Sequence, residues 1–427
     1  MTGGKRQAAS GKRQAASGKR QAASGKRPAA SGQRPTANGQ RPTANGQRPT
    51  ANGQRPTANG QRPTANGQRP TANGRGHAPE PTVRRQPAQV RRGARLPPPR
   101  SIFPLPFRCE PFCTMTEIVT ITPNPAVDVA TSVDRVTDTR KLRCGPARRD
   151  PGGGGINVAR VLTRLGADCA ALYLAGGDTG RALRGLLADE RMRASGVDVA
   201  DETRENFSVL ETSTGREFRF VLPGPTLAPD EWPSCIDALA RLADASRFLV
   251  MSGSLPPGMP DDCYARLARL ANARGARTVV DTSGPALAAA LDAGVYLVKP
   301  SLGELRALTG LPLDDDAERL AAARAIVGSG RAQIVALTLG DAGALVVSRD
   351  DAVRLPGARV AVRSAIGAGD SFVAGLVDAL NRGASVADAS RYALAAASAS
   401  LLSAGTALCT KDDVERIYRE LPGTVEA

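Results

Sequence analysis

Ten uninterrupted heptads run from residue 4 to residue 73, and they decide what the first part of the chain can become. Three read GKRQAAS, one reads GKRPAAS and six read GQRPTAN. A period of seven is the repeat of a coiled coil. Here, however, Ala is the only apolar residue in the repeat, every copy carries Gly, and seven carry Pro. There is no a/d seam to bury, and Pro removes an amide that a helix needs. A segment with so little to bury cannot offset the entropy of ordering itself. Residues 74–114 continue in Arg, Pro and Gly without a period. The expectation for 1–114 is a disordered, basic, low-complexity tail. Because Met115 directly precedes the first good strand pattern, the tail also reads as upstream sequence from a mis-assigned start. Its rival reading is a polyanion-binding arm.

The formal net charge of +16 belongs to this tail. Of the 57 Lys+Arg and 41 Asp+Glu, 22 and 2 precede Met115, which leaves 35 basic and 39 acidic residues in 115–427. Nucleic acid is therefore not an expected partner of the body. The single histidine, His77, also lies in the tail. The body thus has no Ser-His-Asp triad, no histidine zinc site and no histidine base, so proton transfer falls to carboxylates, Lys, Tyr or Cys. Seven cysteines (109, 113, 144, 169, 235, 263 and 409) form no CxxC pair. An odd, unpatterned set reads as reduced thiols in a cytoplasmic protein. No apolar run approaches the ~18 residues of a membrane span, and the basic start lacks the apolar stretch of a secretory signal.

After Met115 the texture changes. Short β-branched runs alternate with amphipathic stretches. Strands are predicted at 117–122, 247–252, 276–281, 295–298 and 333–338, and helices at 156–165, 179–189, 261–273, 315–328, 370–382 and 386–402. This alternation implies an α/β domain over 115–427 with a largely parallel sheet covered on both faces. Phe207–Thr212 and Glu217–Leu222, joined by Ser213-Thr-Gly-Arg216, read instead as a hairpin and suggest a small β lid.

Three motifs carry chemistry. Asp150-Pro-Gly-Gly-Gly-Gly-Ile-Asn-Val-Ala-Arg160 places four glycines before a helix with Ile156, Ala159, Leu162 and Leu165 on one side. Glycine lets a ligand approach the backbone, and a helix N-terminus offers free N–H groups. One glycine would suffice for a plain turn, so the run points to a ligand. Neither GxGxxG nor GxxxxGK[ST] is matched. In the second motif, Ser364-Ala-Ile-Gly-Ala-Gly-Asp-Ser371, a strand at Arg359–Val362 is expected to lead into Gly367-Ala368-Gly369. The amides of those three residues would form an anion hole beside Asp370, where a helix begins with Phe372, Leu376 and Leu380 on one side. An N-cap Asp after a glycine turn is the ordinary alternative. In the third, Val298-Lys-Pro-Ser-Leu-Gly-Glu304, Lys299 could meet a phosphate and Glu304 could hold a metal-bound water. The loops Ser252–Gly258 and Thr338–Gly343 also follow strands, where α/β sheets place ligands.

Taken together, these residues resemble the ribokinase-like (PfkB) carbohydrate kinases. The likeness runs through essentially all of 115–427, from Thr122-Pro-Asn-Pro-Ala-Val-Asp128 through PGGGGINVAR to the C-terminal GAGD. Within the family the phosphofructokinase type is most similar, on GGGGINVAR, Lys141-Leu-Arg143-Cys144 and Arg216-Glu-Phe-Arg-Phe-Val-Leu-Pro-Gly224. The resemblance implies a three-layer α/β/α domain with a β lid often used for dimerisation. It implies that Asp128, Asn157, Gly153 and Gly154 bind sugar hydroxyls, that Ser254 lies near the sugar, and that Lys141, Arg143 and Arg204 meet the phosphate already on it. Lys299 and Ser301 would face ATP, and Thr338, Gly340 and Gly343 would lie along the nucleotide. Glu304 would support Mg²⁺ through water, and Asp370 would be the base. Ser364, Ile366, Ser400, Ser403 and Gly405 would offer a site for K⁺. Three departures stand out. Ser301 takes a usual Asn position, Ala365 a usual Thr position, and Ala407 stands where a longer polar residue is common, which argues against potassium activation.

The resulting expectation is ATP-dependent phosphorylation of fructose 6-phosphate to fructose 1,6-bisphosphate by a cytoplasmic homodimer. Kinases of fructose 1-phosphate or tagatose 6-phosphate are the near alternatives. A polyanion-binding protein with an inert kinase body is the remote one.

Overall fold

The computed structural model describes residues 116–138, 141–243 and 246–422, together with the backbone of Val425–Glu426. The heptads, and the expectation of a disordered tail, lie outside the described residues. In chain order the elements are β1 (Ile118–Thr122), β2 (Ala126–Val133), β3 (Arg148–Gly152), α1 (Gly154–Leu165), β4 (Cys169–Ala175), α2 (Gly177–Asp189), β5 (Ala194–Asp198), β6 (Arg204–Glu211), β7 (Glu217–Phe220), α3 (Trp232–Leu242), β8 (Phe248–Ser252) and α4 (Cys263–Ala273). They continue with β9 (Arg277–Asp281), α5 (Gly284–Asp292), β10 (Val295–Val298), α6 (Leu302–Thr309), α7 (Asp316–Gly328), β11 (Ala332–Thr338), β12 (Ala344–Val347), β13 (Ala352–Leu355), α8 (Ala368–Asn381), α9 (Val386–Leu401), α10 (Lys411–Glu420) and β14 (Val425–Glu426).

The large sheet has the order β14-β13-β12-β11-β10-β9-β8-β1-β4-β5. It is parallel from β11 to β5 and antiparallel beyond β11. Period-two side-chain placement makes both faces apolar. Phe248 and Val250 of β8 pack with Val158, Phe372 and Tyr392 of α1, α8 and α9. Leu249 and Met251 pack on the other face with Ile236, Leu267 and Leu287 of α3, α4 and α5. These two clusters are the helical layers of the three-layer fold.

A second sheet, ordered β3-β2-β6-β7, forms the lid. The expected hairpin is its outer half, with Phe207 opposite Phe220. Its inner half was not read from sequence. β2 pairs parallel with β6, setting Ala126 opposite Arg204 and Asp128 opposite Asn206. β3 (RRDPG) has no apolar alternation to betray it.

Two expectations fail around the second motif. Arg359–Val362 is not a strand; the strand there is β13, and residues 356–362 run irregularly to α8. The edge beyond β13 is taken by β14, so the apolar alternation at 359–362 has no neighbour to pair with, and Val362 is 63% exposed. Helix α8 starts at Ala368, with Gly367 as its cap in the left-handed region. Asp370 is therefore inside the first turn and is not the N-cap. Helix α1 likewise begins two residues early, at Gly154. Among the described cysteines none is in a disulfide, and no helix among the described residues is long and apolar enough to cross a membrane.

Candidate active site

Strand β1 lies between β4 and β8. From it the chain winds one way through β4 and β5 and later returns on the other side at β8. Loops diverge at such a reversal and leave a crevice at the C-terminal strand ends. A cavity of about 250 Å³ opens there. Gly153, Gly154 and Asn157 border it from α1, Ser252, Gly253 and Ser254 from the end of β8, Asp281 from β9, and Glu304 and Asp370 from α6 and α8. The lid contributes Arg204, Asn206 and Arg219.

Only two of the four glycines serve this cavity. Gly153 has φ +112°, and a Cβ on Gly154 would lie 2.3 Å from Ser252 Oγ. Gly152 and Gly155 are required by packing, since side chains there would run into the Asp128 carboxylate and into Thr122 and Ile121. The run is long because the start of α1 is threaded between two sheets, and only Gly153 and Gly154 of it face the cavity.

Asp370 holds the centre. Its Oδ2 accepts a hydrogen bond from Asn157 Nδ2 at 2.9 Å. Removal from water, with the Asp281 carboxylate nearby, pushes its pKa up to about 6, against the lowering effects of Asn157, Lys299 and Arg219. Such a value suits a group that takes a proton near neutral pH. Gly367 and Ala368 lead into the same turn, and the N–H groups of Gly367 and Gly369 have no protein acceptor among the described residues. A Cβ on Gly369 would sit 3.7 Å from Lys299 Nζ, so the lysine lies against the proposed anion hole. Lys299 is buried and pairs with Asp281 at 3.0 Å. Burial works to lower its pKa, but Asp281, Glu304 and Asp370 outweigh this and hold the ammonium above its ordinary value.

On the lid side, Arg204 lines the cavity while donating to the carbonyls of Asn124, Pro125 and Leu222. These three bonds leave two of its five N–H groups for a ligand. Asp128 is buried, accepts from Asn206 at 2.8 Å through Oδ1, and leaves Oδ2 unpartnered. Burial raises its carboxyl pKa against the effect of that bond. Ser254 Oγ accepts from Asn124 at 3.2 Å.

On the remaining side, Ser301 caps α6 in a capping box with Glu304. One Glu304 oxygen is thereby held by the Ser301 amide at 2.7 Å. Thr338, at the end of β11, bridges to Ser301. Gly340 follows in a single turn of 3₁₀ helix, and a side chain on Gly343 would run into Leu355 and Pro356. Thr338, Gly340 and Gly343 lie outside the cavity walls, at the neighbouring strand end. Lys141 and Arg143 are exposed on the segment between β2 and β3 and do not line it. Ser364 donates to Glu217 of the lid at 2.9 Å and accepts from Ile366 N–H at 3.2 Å. Ser400 and Ser403 donate to the carbonyls of Ala397 and Leu408, and Gly405 adopts φ +55°. Asn206, Arg219 and Asp281 were missed from sequence. Arg219 stands inside the quoted REFRFVLPG stretch, where alternate residues of a lid strand share a face, which is the one signal that could have found it.

The description "pfkB family carbohydrate kinase" matches residues 119–413. An ATP-dependent 6-phosphofructokinase isozyme 2 of Mycobacterium tuberculosis strain H37Rv is 44% identical over 301 residues, covering 70% of this chain and 88% of the relative. A 1-phosphofructokinase of Xanthomonas campestris is 39% identical over 268 residues, covering 62% and 84%. The crystal structure of Escherichia coli phosphofructokinase-2 in complex with fructose-6-phosphate is similar with a TM-score of 0.68 and 39% identity, over 72% of this chain and 99% of that one. With a crevice at the sheet reversal, a carboxylate at a glycine-led helix start and these likenesses over most of its described length, the chain belongs to the pfkB family of carbohydrate kinases.

Proposed function

We propose that the protein is a cytoplasmic enzyme that phosphorylates fructose 6-phosphate with ATP, giving fructose 1,6-bisphosphate and ADP. The observation that carries this reading is Asp370, anchored by Asn157 and facing, across one small cavity, the lid cations Arg204 and Arg219. One end of the cavity can take a proton and the other can hold a phosphate. The attacking sugar hydroxyl gives its proton to Asp370 as its oxygen bonds to the γ-phosphorus, and the bond from that phosphorus to the β–γ bridging oxygen breaks. The amides of Gly367 and Gly369, with the Lys299 ammonium, stabilise charge on the transferring group, and the Ala368 amide joins them by giving up its long 3.4 Å bond to the Ala365 carbonyl. Asp128 Oδ2, Asn157 and the backbone of Gly153 and Gly154 receive the sugar hydroxyls, with Ser254 beside them. Arg204 meets its phosphate, and the resemblance adds Lys141 and Arg143 to that end. Ser301, Thr338, Gly340 and Gly343 border the nucleotide.

The described residues hold no cluster of three or more His, Cys, Asp or Glu that could cage a metal. Glu304, with one oxygen outside the capping box, fits a magnesium ion that arrives on ATP phosphates and keeps most of its water. Bound there, the ion would neutralise charge on the phosphates. At the K⁺ candidates each serine hydroxyl donates its hydrogen within the protein, which leaves oxygen lone pairs and backbone carbonyls to face a cation, and no step depends on one. For the homodimer, Phe207 and Phe220 form an exposed cross-strand pair, 38% and 55% accessible, with Leu222 beside them. Odd and even positions of a strand face opposite ways, so this apolar face of the lid points away from Asn206 and the cavity and suits a second copy.

The test is ADP release with fructose 6-phosphate, fructose 1-phosphate, tagatose 6-phosphate and fructose. The highest kcat/KM should fall on fructose 6-phosphate. A preference for fructose 1-phosphate or tagatose 6-phosphate would move the chain to those activities, and equal use of fructose would remove the phosphosugar reading. Two further results are expected. The acid limb of kcat/KM should fall with an apparent pKa near 6, because Asp370 accepts a proton only when ionised; activity undiminished at pH 5 would exclude it as base. A chain starting at Met115 should match the full chain in kcat/KM and melting temperature, because the heptads contain nothing to bury. A severalfold loss would assign the tail a role.

A further inference from the structure

Arg160, the last residue of the PGGGGINVAR run, is 0% exposed. Its guanidinium is shut away in the protein beneath the lid. Glu190, at the end of α2, takes both Nε and Nη2, the latter at 2.5 Å. The other nitrogen, Nη1, donates to the carbonyls of Pro151 and Thr406 and to Asn157 Oδ1 at 3.4 Å. Replacing a buried ion pair with apolar residues is often neutral or stabilising, so stability alone is a weak reason for this arrangement.

An Asn side-chain amide has two ends of nearly equal size, one an acceptor and one a donor. Which end meets Asp370 is decided by what the other end meets. With the guanidinium at Oδ1, the Nδ2 group turns to Asp370. A flipped amide would set Oδ1 against the carboxylate and N–H groups against the guanidinium, repulsive on both sides. We propose that Arg160 is a positioning residue for phosphoryl transfer: clamped by Glu190, it fixes the Asn157 amide so that Asp370 Oδ2 is held and Oδ1 is left for the sugar hydroxyl. The proposal rests on Asp370 being the base.

Arg160→Lys tests it. A lysine keeps a cation beside Glu190, but a single ammonium cannot serve Glu190 and Asn157 together. We expect kcat to fall about tenfold, the value of one lost hydrogen bond, with KM for ATP unchanged. The acid limb of kcat should move to higher pH, because Asp370 loses a donor to its ionised form. The other charged groups facing Asp370 are Asp281 from β9, Lys299 after β10 and Arg219 from β7, and all three stay in place. In an Asn157→Ala background, Arg160→Lys should change neither kcat nor the limb. An undiminished loss in that background, or an unmoved limb, overturns the proposal. If Arg160→Lys does not fold, Glu190→Gln loosens the clamp while keeping Arg160, and the same two readouts apply. Asp370→Asn separates the failures. Full activity in that variant removes the base itself, whereas an inactive Asp370→Asn with additive Arg160 effects removes only the positioning role.

Discussion

Asp370→Asn is expected to lower kcat by ~10²–10⁴, the range for a positioned general base, with little change in KM for ATP or sugar. Asn keeps the size of the side chain and can still meet Asn157, but it cannot take the hydroxyl proton. Stability supplies the contrast. The folded-state pKa of Asp370 is raised from 3.8 to about 6. Stability tied to its neutral form is thus fully present below pH 3.8 and is lost as pH rises through about 6. At pH 7 the wild type therefore carries an ionised carboxylate that folding disfavours, and Asn does not. The variant should melt at or above the wild-type temperature at pH 7 and lose that advantage near pH 4. An inactive protein of equal or greater stability is the signature of a residue kept for chemistry. Near-wild-type kcat would sink the mechanism.

Arg204→Ala should raise KM for the phosphosugar by roughly 10- to 150-fold, equivalent to the ~1.5–3 kcal/mol of a charge-assisted contact to phosphate. KM for ATP should stay within about twofold. Arg204 also holds the carbonyls of Asn124, Pro125 and Leu222, so some loss of melting temperature is expected as well. Substrate choice separates the two roles. If the arginine binds phosphate, kcat/KM for unphosphorylated fructose is spared and only the phosphosugar suffers. If both substrates lose equally, Arg204 serves the lid structure alone. Arg219→Ala provides a comparison, because Arg219 is exposed on β7 and, among the described residues, holds no backbone carbonyl as Arg204 does.

The residues legible in the sequence are those whose reason is local. Asn157 follows its glycines at a helix start and Asp370 follows Gly369, so neighbouring residues announce them. Lys299 and Glu304 sit just past a strand that its own apolar run reveals. Asp281 was not visible, because its partner lies one strand away. Val280 pairs with Val298 across β9 and β10, which brings the next residues, Asp281 and Lys299, together. Asn206 meets Asp128 through the β2–β6 register in the same way. Register between strands is a property of the assembled sheet, and a single strand's sequence does not contain it. The mistaken strand at 359–362 has a related cause, since its pattern is adequate but its place at the sheet edge is filled by residues more than sixty positions later.

The Asn157–Asp370 bond joins residues 213 positions apart, and its two helices pack against each other only when the intervening strands are in place. Closing so long a loop is entropically unfavourable until the sheet between its ends compensates. A ribosome making this chain has therefore released most of the protein before Asp370, the proposed proton acceptor, and Asn157 can meet. Truncated products that stop short of α8 lack Asp370 and most of the helical layer over one face of the sheet. Catalytic competence is expected late in folding, and recovery of activity after dilution from denaturant should lag behind recovery of helical signal.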